Sequence, residues 1–493
     1  AIITSYLWKD VLRRDMLLSI LQRYLSRQEE TKLKIVRNKH GKIEEKKDTS
    51  VKIIFPRYHQ LDVVDRLVAD TMANGSGHNY LIQHSAGSGK SNSIAWLTYR
   101  LASLHDADQN PIFNCVFVIT DRRVLNKQLQ DTILGFDHTK SQVETITDDD
   151  PSTKLKTLIN EGGARIMICT LHRFPIIYQD VVSRSGKRYA VGVDEAHSRQ
   201  SGQSAEKMKT ALADTDEALR EMAEIEEKTE EQLEKERDAM MEDLLGQGQH
   251  QNLSFYAFTA TPKPKTLQTF GVEIVKGDTP EKSKYAAYHT YSMLQAIEEG
   301  FIMDVLQQYT PCTVTYEIQK KISDDPRYQE TPATKAVKGY FEMHDSTIRK
   351  KTEIIVNKFR DVTLNAMKGQ AKAMVVTSSR AHALRYYLQI KQYCQEMGFT
   401  DVQPLVAFSG KVKYGDEEFT ETKLNKQTGI NISEEKLPLY FASDMYNMLV
   451  VADKYQTGFD EPLLHTMFVD KKLKMVKAVQ TLSRLNRSHP DKK

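Results

Sequence analysis

The chain has 493 residues, too many for one hydrophobic core, and its 40% hydrophobic and 27% charged residues are the balance of a globular protein of two or three domains. No apolar run approaches the roughly 20 residues of a membrane helix. Ala1-Ile2-Ile3-Thr4 lacks the charged region of a secretory signal, and Cys115, Cys169, Cys312 and Cys394 lack metal-ribbon spacing, which fits a reducing, cytoplasmic compartment. The net charge is only +3, but residues 203–250 hold 15 acidic and 6 basic side chains, leaving +12 on the rest, a balance suited to a polyanion.

In chain order, Leu17, Leu18, Leu21, Tyr24 and Leu25 fall at helical spacing after Asp15, a candidate cap. Residues 29–50 are charged, with His40-Gly41 as a turn between two short strands or as part of a loop. Residues 1–50 read as a linker segment of helices and short strands, and a first large domain is expected over 51–282. Arg57-Tyr58-His59-Gln60 opens a helix with Leu61, Val64, Leu67 and Val68 inward. Tyr80-Leu81-Ile82 reads as a buried strand, Ser85-Ala86-Gly87-Ser88-Gly89-Lys90-Ser91 follows it, and a helix begins by Ser93. Strand, glycine loop and helix is the context of a phosphate-binding loop: backbone N–H groups turn inward and the helix N-terminus adds partial positive charge. Lys90 would reach the terminal phosphates of a nucleotide, and Ser91 would ligate Mg²⁺. His84 stands where such loops usually have their first glycine. Gln60, a short way upstream, could read an adenine edge through its two-way amide.

Residues 115–120 are near-continuously apolar, the mark of a strand buried on both faces of a parallel sheet. Arg122 and Arg123 at its end could touch a phosphate backbone or simply open a basic helix. Residues 165–170 form a second such strand, whose Thr170 is either a phosphate contact or a helix cap. Residues 189–193 run into Asp194-Glu195, two carboxylates that need a partner. Mg²⁺ held through water by Asp194, with Glu195 deprotonating the attacking water, would supply one. The Glu/Lys-rich stretch near 203–250 reads as an acidic helical insertion. Residues 254–258 form a strand that delivers Thr259-Ala260-Thr261-Pro262.

Residues 283–303 read as an inter-domain connection and 304–493 as a second α/β domain. Its features are a helix over 337–366, strands at 372–377, 404–409, 447–452 and 466–470, and a polar loop with small helices over 414–437. Ser379 and Arg380, just past the first of these strands, are candidate DNA contacts. A closing helix carries Arg484 and Arg487 at i, i+3, hence on one face, where two guanidiniums could stabilise charge on a transferring γ-phosphate.

The ordered series HSAGSGKS, FVITDRR, ICTLHRF, VDEAH, FTATP, MVVTSSR, LVVADKYQTGFDEP and QTLSRLNR resembles a superfamily 2 helicase motor. With YLWKDVLRRDMLLSILQRYL, IIFPRYHQLDVV and YHTYSMLQAIEEGFIMDVL outside those motifs, nearly the whole chain resembles the motor portion of the R subunit (HsdR family) of type I restriction-modification enzymes. The resemblance implies an α/β fold of two tandem RecA-like domains, parallel sheets flanked by helices. It implies hydrolysis of ATP with Mg²⁺ to pull double-stranded DNA past a complex with methyltransferase (M) and specificity (S) subunits. Lys90, Ser91, Asp194 and Glu195 match the hydrolytic positions, Gln60 the adenine reader, and Arg484 and Arg487 the arginine fingers. Gly458 and Asp460 match the motif joining nucleotide and DNA sites. A further expectation is a fragment of a site-specific deoxyribonuclease, without the preceding nuclease domain or the following helical domain, and so unable to cut DNA unaided. A strand-separating helicase or remodelling motor is the alternative.

Overall fold

The computed structural model describes residues 7–37, 43–120, 123–136, 142–146, 150, 157–158, 165–170, 186–194, 251–277, 283–306, 309–310, 345–414, 417–426, 432–452, 454–455, 459–473, 475–487 and 489–492. The chain divides into two compact units, Ala1–Glu30 with Ser50–Glu299, and Thr31–Thr49 with Gly300–Lys493. The acidic insertion and residues 311–335 lie outside the described residues.

Helix α1 (Arg14–Arg23) has Arg13 at its N-cap position, with no side-chain capping bond, and Asp15 lies in its first turn rather than at the cap. Beyond it Tyr24 is fully buried; its hydroxyl donates to Asp65 at 2.6 Å and its carbonyl accepts from Trp96 Nε1 at 3.0 Å. The charged stretch that follows forms two 12-residue strands, β1 (Ser26–Arg37) and β2 (Ile43–Ile54), paired as a two-stranded sheet. These strands are long for so polar a sequence, and β2 is exposed along nearly all of its length.

The apolar runs of the first unit become one sheet. Its strands are β3 (Asn79–His84), β4 (Cys115–Thr120), β5 (Val143–Thr145), β6 (Ile166–Thr170), β7 (Tyr189–Val193), β8 (Leu253–Thr259) and, after a small antiparallel pair β9 (Val272–Val275) and β10 (Lys284–Ala286), β11 (His289–Tyr291). The order is β11-β3-β8-β7-β4-β6-β5, with every neighbouring pair parallel. Both faces are covered, so the strands carry no polar alternation. Helices α2 (Tyr58–Asn74) and α3 (Lys90–Ala102) pack Leu67, Ile94 and Leu97 against Ile82, Val118 and Phe258 on one face. Leu81, Phe117, Val191 and Phe255 meet Phe270, at the end of α4 (Pro264–Phe270), on the other.

The second unit repeats the scheme with a four-stranded parallel sheet. β12 (Lys372–Thr377), β13 (Pro404–Ala407), β16 (Met448–Ala452) and β17 (Leu464–Asp470) run in the order β13-β16-β12-β17. Helices α5 (Asp345–Lys358) and α6 (Arg380–Met397) cover one face, and α8 (Leu437–Ala442), with Ile35, covers the other. Part of the expected loop over 414–437 is ordered as a hairpin, β14 (Lys411–Tyr414) with β15 (Glu417–Thr420), followed by the short helix α7 (Glu421–Leu424). Among the described residues no helix is long and apolar enough to cross a membrane.

Candidate nucleotide site

The glycine loop at 85–91 leaves the C-terminal end of β3 and opens α3. Gly87 and Gly89 have φ of 86° and 83°, the left-handed region where a Cβ is penalised. Gly89 is the N-cap of α3, so Lys90 and Ser91 are its first two residues, at the positive end of a 13-residue helix. The loop is braced internally, with Ser88 N–H and Oγ both donating to the Ser85 carbonyl, at 3.2 and 2.7 Å. Asp194 follows β7, and its N–H donates to the Ile119 carbonyl at 3.1 Å. Only β8 separates β7 from β3, strands about 10 Å apart across two strand spacings, so loop and carboxylate leave the same C-terminal edge of the sheet. Among the described residues no cluster of three or more His, Cys, Asp or Glu could hold a metal. The Ser91 hydroxyl and the Asp194 carboxylate are instead the sparse, hard oxygen donors with which Mg²⁺ is held when phosphates and water complete its shell.

Gln60 is buried directly behind the loop. Its Oε1 accepts from Arg57 N–H at 2.8 Å, and its Nε2 donates to the Gly89 carbonyl at 2.9 Å and the Ser88 carbonyl at 3.4 Å. Both ends of the amide therefore serve backbone here, and a Cβ on Gly89 would lie 2.5 Å from Nε2. His59 Nε2 faces the Ser88 carbonyl at 3.1 Å, and its ring stacks on Tyr291 at 3.8 Å and 5°. His84, fully buried, meets His289 at 2.8 Å, and His289 meets Asp62 at 3.0 Å. Burial, then the neighbouring His289, His59 and Lys90, push the His84 imidazole down to about 2. Burial also lowers His59 to about 4, against the opposing pull of the Ser88 carbonyl. Both rings are neutral at physiological pH. Asp62, His289, Tyr291 and this use of His59 are absent from the sequence reading; β11 is only three residues long, too short for a periodic signal.

Glu195, Arg122 and Gly458 lie outside the described residues. Arg123 opens a helix, Arg123–Gly135, and Thr170 ends β6, buried. Ser379 is the N-cap of α6, its Oγ accepting from His382 N–H, and Arg380 donates to the Ser409 carbonyl at 3.2 Å. Arg484 and Arg487 fall just beyond the last helix, α9 (Met475–Leu482), not on its face. The cause is local: Arg484 Nε donates to the Gln480 carbonyl at 3.2 Å, the acceptor its own N–H would use in a continuing helix. The N–H groups of Arg484 and Leu485 turn to carbonyls three residues back, which tightens and ends the coil. The structure does bring both arginines to the 459–460 segment. Arg484 donates to the Phe459 carbonyl at 3.1 Å, and Arg487 Nε lies 3.0 Å from Asp460 Oδ1.

Two family models match separate parts of the chain, and longer relatives match most of it. The family model described as SWI2/SNF2 ATPase matches residues 59–218, and that described as type I restriction enzyme subunit R domain 3 matches 421–493. The type I restriction enzyme HindI endonuclease subunit of Haemophilus influenzae is 24% identical over 457 residues, covering 88% of this chain and 38% of that protein. The type I restriction enzyme SauMRSORF196P endonuclease subunit of Staphylococcus aureus is 22% identical over 469 residues, covering 89% and 43%. The chain thus spans less than half the length of these relatives. A structure of the DEAD-box helicase Mss116 bound to ssRNA and UDP-BeF superposes with a TM-score of 0.42 at 11% identity, covering 87% of this chain and 67% of that one.

Proposed function

We infer that this chain, an HsdR-like superfamily 2 motor of two RecA-like domains related to the R subunits of type I restriction enzymes, is an ATP hydrolase that draws double-stranded DNA through a larger restriction complex. The observation that carries this reading is the phosphate loop: left-handed Gly89 capping α3, Lys90 and Ser91 opening it, and Asp194 on the same edge of the sheet. ATP would lie with its phosphates on the loop, and Lys90 would hold its terminal phosphates. Ser91 and Asp194 would hold Mg²⁺, whose charge eases phosphoryl transfer when bound. Glu195 would orient and deprotonate the attacking water. Arg484 and Arg487 would neutralise charge on the γ-phosphate, and Gly458 and Asp460 would relay that event to the DNA contacts. Arg122, Arg123, Thr170, Ser379 and Arg380 would grip phosphates rather than base edges. The full-length protein would be a cytoplasmic site-specific deoxyribonuclease subunit partnered by M and S subunits.

Lys90→Ala should abolish ATP hydrolysis while leaving the fold intact; undiminished hydrolysis would overturn the assignment. Duplex DNA should raise the wild-type rate, and DNA affinity should fall steeply as salt rises, because counterions are released from neutralised phosphates. Displacement of a triplex-forming strand without unwinding of a duplex supports translocation, whereas the reverse favours the strand-separating alternative.

A further inference from the structure

We propose that Asp62, His289 and His84 form a directional hydrogen-bond relay that positions the phosphate loop from its first residue and ties its grip on nucleotide to strand β11. The relay deepens the nucleotide-binding reading above and rests on it for its kinetic effect, but not for its chemistry. Asp62 Oδ1 accepts from Arg66 Nε at 2.9 Å, which orients the carboxylate, and Oδ2 faces His289 Nε2 at 3.0 Å. A carboxylate accepts, so His289 carries its proton on Nε2. His289 Nδ1 is then a lone pair, and the 2.8 Å contact with His84 Nε2 requires His84 to donate. The direction of both bonds follows from the acid at the end of the chain. Burial lowers both imidazoles from their ordinary range, which favours their neutral forms.

The relay has a mechanical consequence because its middle member sits on β11. Ile82, Gln83 and His84 pair with His289, Thr290 and Tyr291, and the next N–H, of Ser85, donates to the Tyr291 carbonyl at 2.9 Å. The Tyr291 ring supports His59, which reaches the Ser88 carbonyl. The Tyr291 hydroxyl donates to Glu299 at 2.7 Å, the last residue of the first unit. Ser85 and Ser88 bracket the turn whose backbone would receive phosphate. The segment by which the chain leaves the unit therefore holds that turn at both ends, and the relay sets the side-chain half of the hold. A glycine at position 84 would have no such link; a buried histidine there needs one, since an unmet buried polar group is costly.

The test pairs a break with a mimic. His289→Leu removes both bonds; His289→Gln offers an amide oxygen to His84 and an amide N–H to Asp62. The KM for ATP should rise about ten-fold in the leucine variant, the equivalent of losing one or two buried hydrogen bonds. Its kcat should stay within about two-fold, and glutamine should restore most of the KM. Trp96 emission, with the indole buried in the same unit, checks that each variant is folded. An unchanged KM in a folded leucine variant, or equal KM values in the two variants, overturns the proposal. Imidazole ¹⁵N spectra of the wild-type chain test the relay without nucleotide: both histidines should be neutral Nε2–H tautomers at pH 7. A Nδ1–H tautomer of His84 overturns the relay even if the chain hydrolyses ATP. Correct tautomers in a chain that neither binds nor hydrolyses ATP would instead sink the functional reading alone.

Discussion

At the scale of single residues, the site is defined by one close approach, the Gln60 amide against the backbone of Gly89. Gly89 has φ of 83°, and its missing side chain leaves room for Gln60 Nε2 2.9 Å from its own carbonyl. Gly89→Ala should therefore destabilise the first unit by about 1–3 kcal/mol, from the left-handed backbone and the overlap with Nε2 together. Gln60→Ala should cost about 1–2 kcal/mol by leaving the Arg57 N–H and two loop carbonyls without this partner. The two costs should not add, because removing the amide makes space for the alanine methyl while the backbone strain remains. A double-mutant cycle measured by denaturant unfolding should show the pair less destabilised than the sum of the singles by about 1 kcal/mol. The two tryptophans, Trp8 and Trp96, both lie in the first unit and report on it directly. Simple additivity would mean that the approach is not made.

At the scale of elements, α7 illustrates how a short helix can fix its neighbours. Glu421 opens it and is only 4% exposed; one carboxylate oxygen accepts from Phe408 N–H at 3.0 Å and from Lys454 Nζ at 2.8 Å. Burial pushes the carboxyl up to about 7, and Lys454 offsets that only in part. Since the folded-state value lies above the ordinary 4.5, the folded chain keeps a proton that the unfolded chain releases. Stability of the second unit should be greatest below pH 4.5 with respect to this group and fall as pH rises to about 7. The loss is roughly 3 kcal/mol at most. In Glu421→Gln, hydrogen exchange of β13 and β16, corrected for intrinsic rates, should lose that pH dependence; an unchanged slope would exclude Glu421 as its source. A small helix within 414–437 was legible in sequence, but the burial of Glu421 was not, because its environment is made by Phe408 and Lys454 from other segments. Strands buried on both faces were legible, since β4, β6, β12 and β16 carry the signal in their own residues. The strand, glycine turn and helix at 79–102 were legible for the same reason. β11 was not, because three residues hold no period, and the stop at Leu482 was not, because it depends on the Arg484 side chain taking a backbone acceptor.

At the scale of the whole molecule, acid should act more strongly on the first unit, which holds two buried histidines lowered to about 4 and 2, than on the second, where the raised Glu421 opposes the lowered His465. His59 and His84 are neutral in the folded first unit, with values near 4 and 2 against an ordinary 6.5. A lowered histidine contributes stability that is present above 6.5 and is lost as pH falls toward the folded-state value, because the unfolded chain takes up the proton first. At pH 5 each ring should have cost about 2 kcal/mol. Over the same interval the second unit regains what Glu421 withholds at neutral pH. Thermal unfolding followed by tryptophan emission reports the first unit, and far-UV circular dichroism reports both. Moving from pH 8 to pH 5 should shift the tryptophan transition to lower temperature, ahead of the final circular-dichroism transition, which should hold or rise. Asn in place of His84 removes the larger of the two shifts without adding charge, so His84→Asn should narrow the gap at pH 5 while lowering stability at pH 8. Transitions that move together, or a first unit indifferent to acid, would mean that the two histidines are not held neutral behind the loop.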